Sequence, residues 1–179
     1  DPAVRRELLM PFLWQTVAKR GQIYGNRALG SDAWVTNGKN FSYPGYSEAF
    51  CGFADDRVDS NNKVFNQNVT MFEWLHNKPA FKGKVAAFGA WELFPWILNQ
   101  PRAGFTVNAG YEPFRELSGS QSVGLINRLK AETAMWEGEA FDSFPFHTAL
   151  EYMKTRKPRL LYLSLGETDE WSHGGKYGD

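Results

Sequence analysis

Residues 159–165, RLLYLSL, restrict the fold more than any other stretch of the chain. A continuous apolar run of this kind is what a strand carries when a parallel sheet buries it on both faces. It leads directly into GETDEWSHGG, a segment dense in carboxylates and closed by two glycines. A similar unit lies upstream in KVAAFGAWELFPWILNQ. There Val85–Phe88 reads as a short strand, Gly89 as the turn, and Glu92–Asn99 as a helix carrying a proline. Residues 122–137 and 143–157 have the spacing of amphipathic helices, the second ended by Pro158. Strands alternating with helices imply βαβ units, so the expected fold is α/β, a three-layer sandwich around a mostly parallel sheet.

The N-terminal half is less regular. Residues 3–20 place Val4, Leu8, Leu9, Phe12, Leu13 and Val17 at helical spacing, with Pro11 as a kink and Gly21 as the stop. GQIYGNRAL, residues 21–29, reads as a short strand. Residues 30–68 are rich in Gly, Asn, Asp and Ser and form a long structured loop, within which SEAFCGF makes one or two helical turns. Residues 69–78 return to helical period, with Asn68 as the expected cap. No internal repeat or low-complexity tract interrupts the chain.

At 179 residues, the chain is expected to form one domain over 1–179. Its 20 Lys+Arg balance 20 Asp+Glu. That neutrality argues against a general nucleic-acid binder and against a polybasic membrane-surface protein. No run approaches the ~18 apolar residues of a membrane span. One cysteine, Cys51, excludes a disulfide framework and a cysteine-rich zinc site. Aromatic residues make up 16% of the chain, which suits a sugar-binding surface as well as a core. Trp14, Trp74, Trp91, Trp96 and Trp136 fall at apolar positions of the expected elements, which favours packing.

Two segments carry chemistry. In parallel sheets, ligands bind beyond the carboxyl ends of strands, and Glu167, Thr168, Asp169, Glu170 and His173 follow RLLYLSL directly. Asp169 and His173 are four apart, so one helical turn aims both at a single ion. A carboxylate with an imidazole suits zinc, manganese or iron, although a catalytic ion usually takes three protein groups. The second segment is NGKNFSYPGYSEAFCGFAD. Ser42, before Tyr43-Pro44-Gly45, places a hydroxyl at the start of a helix, where it can attack an anionic group. The same segment holds Gly45-Tyr46-Ser47-Glu48-Ala49, close to the G-x-S-x-G elbow of acyl hydrolases. Ala49 replaces the second glycine there, and no buried strand precedes it.

Together, FSYPGYSEAFCGFAD and LLYLSLGETDEWSHGGKY resemble the alkaline phosphatase superfamily, in the bacterial branch related to nucleotide pyrophosphatase/phosphodiesterases. NRALGSDAWVTNG, VAAFGAWELFPWILN and VNAGYEP are similar to that branch too, so the resemblance spans most of the chain. It implies that Ser42 is the nucleophile and touches one of two divalent cations, zinc or manganese. Asp169 and His173 would ligate the other cation. Backbone amides near Gly45 and Tyr46 would hold the transferring group, Asn37 and Asn40 would supply polar contacts, and Glu167 and Glu170 would orient His173. The superfamily opens with a strand ending in an aspartate ligand and closes with an Asp-His pair and a further histidine. Two of its six metal-binding side chains occur here, so the expectation is an internal segment of a larger catalytic domain, which by itself does not complete the two-metal site. The implied partner is a small-molecule phosphate, diester or sulfate ester. The expected compartment is periplasmic or extracellular. A non-catalytic aromatic binding module and an acyl hydrolase using Ser47 are the alternatives. Cys51, His76 and His147 read as packing or surface residues. Asp55–Asn61 lacks the glycine and terminal glutamate of a calcium loop.

Overall fold

The computed structural model describes residues 2–176, and the chain divides into two compact units, 1–36 and 37–179. In the first, α1 (Pro2–Leu9) stops just before Pro11, whose ring nitrogen has no hydrogen to donate back along the helix. The chain resumes as a π-helical turn, Leu13–Val17, where the Ala18 N–H donates to the Leu13 carbonyl, and runs into α2 (Ala18–Arg20). The strand expected over 21–29 does not form. The segment is a loop with one 3-10 turn at Arg27–Leu29, closed by Gly30 in the left-handed region at φ 67°. Gly21 and Gly25 bracket only three residues, Gln22–Tyr24, too short a run to pair as a strand.

The second unit is α/β. Its helices α3 (Ser42–Cys51) and α4 (Met71–His76) precede β1 (Val85–Gly89). Next come α5 (Phe94–Ile97), α6 (Gln100–Ala103), β2 (Thr106–Ala109), α7 (Gln121–Glu132), α8 (Ser143–Arg156), β3 (Leu160–Ser164) and α9 (Glu167–His173). The three strands form an open parallel sheet in the order β2-β1-β3, with Ala86 opposite Thr106 on one side and Leu161 on the other.

Alternation along the central strand builds two cores. Val85 and Ala87 join Phe72, Phe94, Ile97 and Leu98 on one face. Ala86 and Phe88 join Phe114, Val123, Ala149 and Tyr152 on the other. Every residue of β1 is buried, but Leu160–Leu163 are only half-buried. Sheet order is the reason: among the described residues, β3 has a strand on one side alone. On the first face, α3 and α4 from before β1 join α5 and α6 from the connection between β1 and β2, and the connection from β2 to β3 supplies α7 and α8 on the second. A crevice lies at the carboxyl ends of β1 and β3, lined by Trp91 from beyond β1 and by Ser164, Leu165 and Gly166 from the end of β3. None of the described helices is long and apolar enough to cross a membrane.

Local chemistry explains most boundaries. The cap of α4 is Thr70, whose Oγ1 accepts the Glu73 N–H at 3.3 Å, and not Asn68. Asn68 is engaged elsewhere, donating to Asp55 at 2.7 Å. The helical turns expected within SEAFCGF belong to a longer helix that starts at Ser42 and ends at left-handed Gly52.

Candidate functional site

The crevice between β1 and β3 holds a pocket of about 350 Å³. Its walls come from three places. Ser42, Tyr46 and Asn61 arrive from α3 and the loop after it. Trp91 and Glu139 arrive from beyond β1 and before α8. Ser164, Leu165, Gly166, Asp169, Glu170 and His173 arrive from the end of β3 and from α9. Ser42, Asp169 and His173, about 125 residues apart in sequence, thus face one cavity.

Each wall is held by identifiable bonds. Ser42 is the first residue of α3 and is exposed. The Tyr43 N–H donates to Asn61 Oδ1 at 2.9 Å, so Asn61 caps a helix whose own N-cap, Phe41, offers no side-chain acceptor. On the opposite wall, Asp142 Oδ1 accepts the Gly166 N–H at 2.6 Å and the Glu167 N–H at 3.2 Å. Glu167 Oε1 in return accepts the Asp142 N–H at 2.7 Å. This reciprocal clamp fixes the start of α9, and Trp171 anchors its body edge-on against Trp136 at 5.2 Å. Asp169 and His173 then lie one turn apart, with Oδ2 and Nε2 separated by 3.6 Å and both side chains open to solvent.

Glu139 reaches the pocket through backbone pairing. Trp91 and Glu139 form an antiparallel bridge, extended by Glu92 N–H to Gly138 at 2.7 Å and Ala140 N–H to Ala90 at 3.0 Å. Glu139 is only 6% exposed, and its carboxyl lies against Gly166, where a β-carbon would collide with it. Burial pushes this carboxyl up to about 8, with the negative neighbours Glu170, Asp142 and Asp169 adding to the effect. Below the pocket, Tyr46 packs on Phe94 at 5.1 Å and Trp91 at 6.2 Å. Burial holds the Tyr162 hydroxyl, bonded to Ser164 and Tyr46, up to about 12.

Several expectations change at this point. Gly45 is not on the pocket wall; its N–H donates to the Phe41 carbonyl, and Pro44 has none to offer. The amides near Gly45 and Tyr46 are therefore no cradle for an anion, because the first turn of α3 has spent its donors. Asn37 is drawn away by Glu48, which accepts from its backbone and side-chain nitrogens at 3.0 and 2.7 Å. Asn40 is exposed and does not line the pocket. Glu167 is occupied by the Asp142 clamp, whereas Glu170 does face the cavity. Ser47 is buried at 2% exposure and accepts a bond from Asn66, so it cannot meet an ester from solvent. Among the described tryptophans of the second unit, Trp74 is the exposed one, and the Lys78 ammonium lies over its ring at 4.2 Å.

Asn61, Trp91, Glu139, Ser164 and Gly166 were not read as site residues. Trp91 carried a signal, since it sits two residues beyond the end of β1. Glu139 carried none, because its position follows from the pairing with 90–92. No protein-family model, no curated protein and no solved structure matches the chain, so its function is read from this geometry.

The donor types at Asp169 and His173 suit zinc or manganese. Among the described residues, however, no group of three His, Cys, Asp or Glu is arranged to hold a metal. Asp169 and His173 are two of the donors such a centre would need.

Proposed function

We propose that the protein is a metal-dependent hydrolase of phosphate esters, or of the related diester or sulfate esters, with Ser42 as its nucleophile. The observation that carries this reading is that the exposed Ser42 lines one pocket with Asp169 and His173 at the carboxyl ends of β1 and β3. Such a fold would be the alkaline phosphatase-like three-layer α/β sandwich of which the three parallel strands form part.

Ser42 is rigidly presented. Its helix is capped by Asn61 and anchored through Tyr43, whose hydroxyl donates to the Val64 carbonyl at 2.7 Å. The hydroxyl oxygen attacks the central phosphorus or sulfur, the bond to the leaving oxygen breaks in line, and the Ser42 proton passes to a base. His173 and Asp169 face the same pocket from one turn of α9 and are open to solvent, which suits the pair to ligate a cation. A divalent cation held by Asp169 and His173, with further donors from outside the described residues, would supply Lewis-acid stabilisation of developing negative charge.

The test uses p-nitrophenyl phosphate, bis-p-nitrophenyl phosphate and p-nitrophenyl sulfate with added Zn²⁺ or Mn²⁺. Turnover lost in Ser42→Ala and in Asp169→Ala supports the reading. Turnover retained in both would overturn it.

A further inference from the structure

The sheet treats its two edge strands differently. In β2, the Gly110 N–H donates to the Gly89 carbonyl at 3.0 Å, so the alternate residues Val107 and Ala109 turn their backbone groups away from β1. Both of those outward carbonyls are occupied. Gln100 Nε2 donates to Val107 at 3.1 Å, and the Glu112 N–H donates to Ala109 at 3.2 Å. A side chain and a turn thus blunt this edge against further pairing.

The outer edge of β3 has no such cover. The Leu160 N–H donates to the Lys84 carbonyl at 3.1 Å, and the Ser164 carbonyl accepts the Ala90 N–H at 3.0 Å, so Leu160, Tyr162 and Ser164 face β1. The backbone groups of Leu161 and Leu163 therefore point outward, and among the described residues they have no hydrogen-bond partner. The side chains are unfinished in the same direction. Leu160 and Tyr162 pack on the first core, Leu161 and Leu163 on the second, yet all four stay half-buried, and Leu165 is exposed. Unpaired amides and carbonyls beside apolar side chains are a template for one more strand.

Charge selects the strand. β3 is entered through Arg156, Lys157 and Arg159 and left through Glu167, Asp169 and Glu170. An antiparallel copy of β3 sets the basic entry of each chain against the acidic exit of the other, whereas a parallel copy sets like charge against like. With Leu163 opposite its own copy, Leu161 falls opposite Leu165 and Arg159 opposite Glu167. Such a two-fold contact is the same patch on both chains and closes on itself.

We propose that the outer edge of β3 binds a second copy of this chain, pairing antiparallel with its β3 and joining the two three-stranded sheets into one. The inference is independent of the hydrolase reading. Analytical ultracentrifugation of the full chain from about 1 to about 300 µM is expected to show a monomer–dimer equilibrium with a Kd of about 10–100 µM, since the contact is one strand wide. Hydrogen exchange followed by NMR is expected to slow about fivefold at the Leu161 and Leu163 amides as the dimer fills, with Leu160 and Tyr162 protected throughout. Arg159→Glu, checked for folding by circular dichroism, should raise the Kd at least about tenfold. Leu165→Lys alters an exposed side chain, places an ammonium opposite Leu161 and should do the same. A chain that stays monomeric at the highest concentration would overturn the proposal. So would a dimer that leaves Leu161 and Leu163 exchanging as in the monomer, or one indifferent to both substitutions. Protection of those two amides in the monomer would overturn it as well, because a strand from elsewhere in the chain would then hold the edge. Growth beyond the dimer would contradict the closed two-fold contact.

Discussion

Replacing Glu139 by glutamine should stabilise the protein, and the gain should grow with pH. The carboxyl is buried beside Glu170, Asp142 and Asp169, and lies at about 8 instead of the usual 4.5. An acid whose folded value is raised holds its proton more tightly in the native state than in the unfolded chain. Its contribution is therefore fully present below about pH 4.5 and is lost as pH rises toward 8. That difference corresponds to a ceiling of about 5 kcal/mol. Water entry and side-chain relaxation bring the expected value to about 2–3 kcal/mol. Glutamine is nearly isosteric and carries no charge to bury, so the variant lacks this loss. Urea unfolding of both proteins at half-unit intervals from pH 4.5 to 9 reads the effect. The two stability curves should meet near pH 4.5 and diverge to about 2–3 kcal/mol above pH 8, equivalent to roughly 5–10 °C in Tm. Parallel curves across the whole range would refute the reasoning, because they would mean that Glu139 titrates alike in folded and unfolded chains.

Other substitutions probe the supports of the site. Gly166→Ala drives a methyl into the Glu139 carboxyl and should cost about 1–3 kcal/mol; in the Glu139→Ala background most of that cost should vanish, and an additive double-mutant cycle would contradict it. Asp142→Ala removes the acceptor for two amides at the start of α9 and should cost about 1–2 kcal/mol, with faster amide exchange over 166–170. Phe88→Ala empties the second core beneath the sheet and should cost about 3–5 kcal/mol by chemical denaturation. Ser42→Ala alters an exposed side chain, so stability should change by no more than about 0.5 kcal/mol while ester turnover is lost.

Strands and long helices were legible where burial imposes a pattern. RLLYLSL and VAAF are uniform apolar runs, and both are strands in the parallel sheet. β2 escaped notice because it is four residues, Thr106–Ala109, with an asparagine inside it. That asparagine is accommodated by a local exchange no pattern reveals: Asn108 donates to the Glu112 carbonyl, and buried Lys130 donates to Asn108. Residues 21–29 misled in the opposite direction, because Ile23 and Tyr24 look like strand residues but, among the described residues, no strand pairs with them. At the site, Ser42, Asp169 and His173 stood out because their residue types and their places at element ends were visible along the chain. Asn61 and Glu139 were not, since both reach the pocket through pairing with residues distant in sequence. Asn37 looked like a polar contact and proved to be held by Glu48, a partner that only the folded loop supplies.

The central claim is that Ser42, Asp169 and His173 act as one hydrolytic site. Acid quenching during turnover of p-nitrophenyl phosphate with Zn²⁺ or Mn²⁺, followed by peptide mass spectrometry, tests it most directly. The account predicts a phosphoryl group on Ser42 that is absent in Ser42→Ala and strongly reduced in Asp169→Ala. Full turnover in a Ser42→Ala, Asp169→Ala double variant, or the phosphoryl group on another residue, would contradict it.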